Sequence, residues 1–132
     1  MKPFLALISF LLLPLSAQAQ VPSFSTWVNS RGSILSVFLV DPTSGAFTGT
    51  YVNKAAGFEC QGVPYATSGV TKATVTTFTV NWNGILIPDC HSTTVWIGRS
   101  VGPALKTRWK LNYTGSDGKP HILVGKDVFT KQ

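Results

Sequence analysis

The chain has 132 residues, 44% of them hydrophobic and 12% charged, with a formal net charge of +6. One domain of this length can bury roughly two-thirds of its unfolded surface, enough for an independent core. The basic residues Lys54, Lys72, Arg99, Lys106, Arg108, Lys110, Lys119 and Lys126 stand singly, without a recognition-helix pattern, which argues against a nucleic-acid partner and for plain solubility.

In chain order, residues 1–19 read as a secretory signal peptide. Met1-Lys2 is a short basic start, Phe4 to Leu15 is almost unbroken apolar sequence, and Ala17-Gln18-Ala19 is a small-x-small cleavage site. The apolar run is too short and wrongly flanked for a spanning helix. Cleavage after Ala19 leaves residues 20–132, with ten Lys and Arg against five acids and a net charge of +5. No second apolar run approaches membrane length, so the expected product is one soluble, exported domain, extracellular or periplasmic.

Beyond the leader nothing has helical periodicity. Thr, Val, Phe and Trp dominate, and Gly or Pro recurs at short intervals, the pattern of a small all-β barrel or sandwich. Eight strands are predicted, at 24–29, 33–40, 46–53, 64–71, 74–82, 91–98, 104–113 and 121–130. Asp41-Pro42-Thr43-Ser44-Gly45 forms the second turn, and Gly115 to Pro120 joins the last two strands. The expectation is an eight-stranded antiparallel up-and-down β-barrel, just wide enough for one small ligand.

Alternation assigns the faces. Lys106, Arg108 and Lys110 put one side of the seventh strand in water, which turns Leu105, Thr107, Trp109 and Leu111 inward. In the same way Trp27 and Asn29 share a face, as do Phe47, Gly49, Tyr51 and Asn53. Thr76, Phe78, Val80 and Trp82 share another, and Leu123, Gly125, Asp127 and Phe129 the last. In the sixth strand, Ser92, Thr94 and Trp96 make a face of two hydroxyls and an indole, against Thr93, Val95 and Ile97 on the other. The inward polar set is then Asn29, Ser33, Tyr51, Asn53, Ser92, Thr94 and Asp127, beside the indoles of Trp82, Trp96 and Trp109. A few fixed polar groups next to an aromatic wall is the usual make-up of a small-molecule site. A carboxylate such as Asp127 inside a barrel is costly unless donors reach it.

Two cysteines, Cys60 and Cys90, lie in the exported part. An oxidising compartment favours a disulfide between them, the alternative being two free thiols. Neither has metal-ligand spacing with His91 or His121, so no metal site is expected. Ser92, His91 and Asp127 do not make a catalytic triad, because neighbours on a strand point to opposite faces. Only one inward carboxylate is found where a glycosidase needs two. No catalytic residue is assigned and the chain is not read as an enzyme. A lipocalin-type barrel carrying a hydrophobic ligand is the alternative; it predicts a mostly aliphatic interior.

Six stretches, in order and in register with the eight strands, resemble the avidin family. They are Thr26-Trp27-Val28-Asn29 with Gly32-Ser33, Phe47 to Tyr51, Phe78 to Trp82, His91 to Gly98, Lys106 to Leu111, and Val124 to Thr130. The family includes streptavidin, a standard case of this barrel. The resemblance implies one biotin per barrel and no other cofactor. Asn29, Ser33 and Tyr51 would donate to the ureido oxygen, and Asn53 and Asp127 would accept from the ureido N–H groups. Thr94 would approach the thioether. Trp82, Trp96 and Trp109 would box the rings, with Leu111 behind. Ser92 and the backbone near Ala55 and Ala56 would meet the carboxylate.

Departures from the family pattern matter as well. The tryptophan that tetrameric members carry shortly before the eighth strand is replaced here by Asp117-Gly118-Lys119-Pro120-His121. Its loss argues against the tetramer. A Cys60–Cys90 bridge resembles that of the dimeric bacterial avidins and would pre-order the pocket mouth. A homodimer is therefore expected, isologous and built on the outward Val95, Ile97, Val124 and Val128, with larger assemblies of dimers left open. Arg31 and Lys54, beside the site, also differ from the family's usual residues; they either help hold the ligand carboxylate or face water, and water is the favoured expectation.

Overall fold

Threonine, valine and aromatic side chains suit a pleated, half-buried backbone, and every such stretch of the chain becomes a strand. In the computed structural model, which describes residues 21–132, eight strands follow one another: β1 Ser25–Asn29, β2 Ile34–Val40, β3 Ala46–Val52, β4 Pro64–Lys72, β5 Val75–Asn81, β6 Ser92–Val101, β7 Ala104–Thr114 and β8 Pro120–Lys131. Each pairs antiparallel with the next, and β8 returns to β1, so the sheet closes into a barrel. The predicted signal peptide lies outside the described residues.

The predicted faces are the observed ones. Phe78 pairs with Trp96 across β5–β6, Trp96 with Trp109 across β6–β7, and Trp109 with Gly125 across β7–β8. Leu35, Phe78, Val80, Leu105 and Phe129 have no exposed surface at all. Phe78 stacks on Trp96 with centroids 4.8 Å apart and meets Phe129 edge-on at 5.9 Å. These rings pack the lower barrel as a dry core. Ile97, Ile122, Val124 and Val128 stay on the outside, largely exposed.

Every strand differs from the sequence expectation at one or both ends, by one residue except at the end of β6, which runs three residues farther, to Val101; at three of these ends a side chain captures a backbone N–H. The Asp89 carboxylate accepts the N–H of His91 at 2.9 Å, and His91 takes a positive φ, so β6 starts at Ser92. The Asn29 side chain accepts the N–H of Ser33 at 2.9 Å, which holds Ser33 in the β1–β2 link. Asn53 likewise accepts from Ala55 at 3.1 Å and stands just past β3. Phe24, 78% exposed and at positive φ, precedes β1.

An up-and-down barrel sends alternate links to opposite ends. The β2–β3, β4–β5 and β6–β7 turns at one end are tight. At the other end two links are much longer, between β3 and β4 and between β5 and β6, and these are joined by the Cys60–Cys90 disulfide with Cα atoms 6.3 Å apart. The Tyr65 hydroxyl donates to the Pro88 carbonyl at 2.6 Å and ties the same pair of segments. This end is therefore open but braced.

Candidate functional site

A cavity of about 230 Å³ occupies the braced end. It is lined by Asn29, Ser33, Tyr51, Asn53, Ala55, Ala56, Trp82, Thr94, Trp96, Trp109, Leu111 and Asp127, twelve of the thirteen residues singled out from sequence. Strand alternation brings most of them there, and the loop after β3 brings the two alanines.

One wall is polar and already half-connected. Asn29 Oδ1 is committed to the backbone N–H groups of Arg31 and Ser33, at 3.0 and 2.9 Å. That fixes the amide so its Nδ2 is turned toward the Tyr51 hydroxyl, 3.5 Å away. Ser33 Oγ accepts from the Lys54 N–H at 2.9 Å and donates to Asn53 Oδ1 at 3.3 Å. Tyr51 is buried, and burial first, then the charge of Asp127, hold its hydroxyl well above the ordinary tyrosine range. It is thus a firm proton donor at any physiological pH.

Asp127 closes this wall from β8. Its Oδ2 accepts from the Trp96 indole N–H at 3.1 Å. Its Oδ1 is buried with no hydrogen-bond partner among the described residues. An unpaired carboxylate oxygen in a buried place is a costly arrangement.

The facing wall is aromatic. The Trp82 indole N–H donates to Thr94 Oγ1 at 2.8 Å, which orients both. Tyr51 lies 4.8 Å from the Trp96 ring and 5.7 Å from that of Trp82. Trp109 is partly buried and its Nε1 has no partner among the described residues. Gly125, its neighbour on β8, is required there: a Cβ would sit 2.2 Å from the Trp109 ring. That contact explains a glycine in the middle of a strand, where it otherwise weakens the ladder.

Ser92 is the candidate that the fold does not bring to this cavity. Its residue is buried and its Oγ unpaired, but it lines a separate, shallower recess with His91, Thr93 and Asn112. His91 is exposed and pairs with Asp89 at 3.3 Å. Four lining residues were not singled out: Arg31, Gly57, Phe58 and Leu123. Leu123 does lie on the inward face of β8 but is half exposed at the rim. Phe58 sits in the β3–β4 loop, two residues before the bridged Cys60, and meets Trp82 edge-on at 5.3 Å. Arg31, expected to face water, is exposed yet borders the cavity, whereas Lys54 does not.

The result is a pocket with donors from Asn29 and Tyr51, an idle acceptor on Asp127, and flat rings opposite. It suits a compact ligand carrying a carbonyl-like oxygen and N–H groups next to an apolar body. The Avidin family profile matches residues 17–132. The chain belongs to the avidin family.

Afifavidin of Afifella pfennigii is 38% identical over 110 residues, spanning 80% of this chain and 67% of the relative. Hoefavidin of Hoeflea phototrophica is 36% identical over 116 residues, spanning 80% and 69%. Among solved structures, the bradavidin2–biotin complex superposes with a TM-score of 0.74 at 38% identity, covering 85% of this chain and 99% of that one. The rhizavidin–biotin complex gives 0.76 at 35% identity, covering 83% and 92%. The avidin barrel seen here is thus shared with proteins whose structures hold biotin, and its disulfide is formed.

Proposed function

We propose that this avidin is an exported biotin-binding protein that holds one biotin per barrel and catalyses no reaction. The observation that carries the reading is the buried Asp127 Oδ1, an acceptor without a donor among the described residues, placed in a cavity that also holds the donor groups of Asn29 and Tyr51. A ureido N–H supplies the missing donor, and charge on the acceptor strengthens that bond. Asn29 and Tyr51 donate to the ureido oxygen, and Ser33 joins them by turning its hydroxyl from Asn53 Oδ1, which frees that oxygen; such donors favour a site of developing negative charge. Asn53 takes the second N–H. The indoles of Trp82, Trp96 and Trp109, with Thr94 and Leu111, enclose the bicyclic body. The backbone by Ala55 and Ala56 meets the tail. A hydrophobic cargo of lipocalin type would leave these polar groups unpaired, which counts against that alternative.

Export rests on the leader-like sequence of residues 1–19. A homodimer is supported by the apolar residues left outside the barrel, Ile97 on β6 and Val124 and Val128 on β8. Size-exclusion chromatography with light scattering reports that assembly directly.

The decisive measurement adds biotin to the purified mature protein while following tryptophan fluorescence and melting temperature. Saturation at one biotin per chain, with a raised melting temperature, is the expected result, because a ligand that binds only the folded state stabilises it. An unchanged melting temperature at saturating biotin would overturn the reading.

A further inference from the structure

We propose that Arg31 makes this site selective for ligands whose tail ends in a free carboxylate. The inference rests on the biotin reading above. Among the described residues Arg31 is the one cationic residue lining the cavity, and it is exposed at the rim while the polar wall is buried. Its backbone is fixed, since its N–H donates to Asn29 Oδ1 at 3.0 Å. Its guanidinium makes no hydrogen bond or ion pair among the described residues. Its charge is nevertheless felt at the Tyr51 hydroxyl, where it opposes the effects of burial and of Asp127.

Three other groups that could reach a carboxylate are not free at the cavity. The Ala55 N–H is already donated to Asn53 Oδ1. Ser92 lines the separate recess and not the cavity. Lys54 is exposed but does not border the cavity. A valeryl carboxylate emerging at the mouth therefore meets, among the described residues, one free cation beside the backbone of the β3–β4 loop. A guanidinium offers a planar fork that matches a carboxylate. Because the contact is at the exposed rim, water and salt weaken it, and its effect is modest.

The test compares free biotin with its neutral primary amide, in competition or by dissociation rate, on the full mature protein. The wild type should hold the acid roughly three- to fivefold more tightly than the amide at low salt, a gap that narrows at high salt. Arg31→Gln should close the gap by weakening the acid, and Arg31→Glu should reverse it. Equal binding of acid and amide by the wild type overturns the inference and leaves the biotin reading intact. So does an Arg31→Gln variant that weakens both ligands by the same factor. Failure of both ligands to bind the wild type overturns the biotin reading and the inference together.

Discussion

The two halves of the barrel are built from the same eight strands and treat polar groups in opposite ways. In the packed half, most buried hydroxyls are satisfied within the protein: Thr76 donates to Thr71 at 2.9 Å and Thr67 to the Thr79 carbonyl at 2.8 Å, around the wholly buried Phe78, Leu105 and Phe129, with Ser100 Oγ the exception. In the open half, Asp127 Oδ1 and Trp109 Nε1 are buried and without partners among the described residues. The first half stabilises the fold, and the second half holds a binding surface in place against its own tendency to collapse. A polar group without a partner costs free energy in the folded state and gives it back to a ligand that supplies the partner.

Substitutions in each half should separate these roles. The largest effect on stability belongs to the packed half. Phe78→Ala removes a ring that has no exposed surface and stacks between neighbours, and should cost about 3–5 kcal/mol in denaturant unfolding. Next comes the brace of the open half. Replacing Cys60 and Cys90 with serine opens a loop closed across 30 residues of sequence, with an expected loss of about 3–4 kcal/mol in the chain-entropy picture. If the brace also orders the Phe58 loop, biotin dissociation from that variant speeds up; unaltered dissociation would assign the disulfide to stability alone.

Asp127→Ala comes third, and it should invert the pattern. Biotin affinity should fall by about 1.5–3 kcal/mol, roughly ten- to hundredfold, while the melting temperature moves much less than in Phe78→Ala. A large melting shift with retained affinity would place Asp127 in the structural half of the molecule. The smallest effect is expected from Tyr51→Phe, about 1 kcal/mol in binding. The same variant carries a pH signature. Folding raises the Tyr51 pKa, so its contribution to stability is complete below the unfolded value of about 10 and is lost as pH rises beyond it. Tyr65 is shifted in the same direction, so unfolding measured from about pH 9 to 11 should show a shallower, not a vanished, alkaline decline in Tyr51→Phe.

The strands and their inward faces were legible because period-two alternation is a local property. A row such as Lys106, Arg108 and Lys110 places Trp109 and Leu111 without any knowledge of their partners. What escaped reading was everything decided by side chains capturing backbone. Nothing in the composition of Asp89-Cys90-His91 says that the Asp89 carboxylate will take the His91 N–H and delay β6 by one residue. Irregular loops have no period at all, so Phe58 could be found only through its nearness to Cys60. Arg31 was left between two roles for a related reason: charge argues for water, and only the closed barrel shows that this water borders a cavity. Ser92 shows the opposite case: it lies on the face that alternation gives it, but it lines the recess beside the cavity.

The barrel is not equally sewn all the way round. β7 and β8 share eleven registered positions, but β8 and β1 share three, Trp27 with Lys131, Val28 with Thr130 and Asn29 with Phe129. That short hem ends at Asn29, and Asp127 stands two residues farther along β8, so the two cavity-lining side chains straddle the place where the cylinder is least fastened. A guest touching both would act as a stitch across the hem. Occupancy would then be registered far from the pocket, as slower amide exchange along β1 and the end of β8, and the empty protein would breathe by unlacing there first.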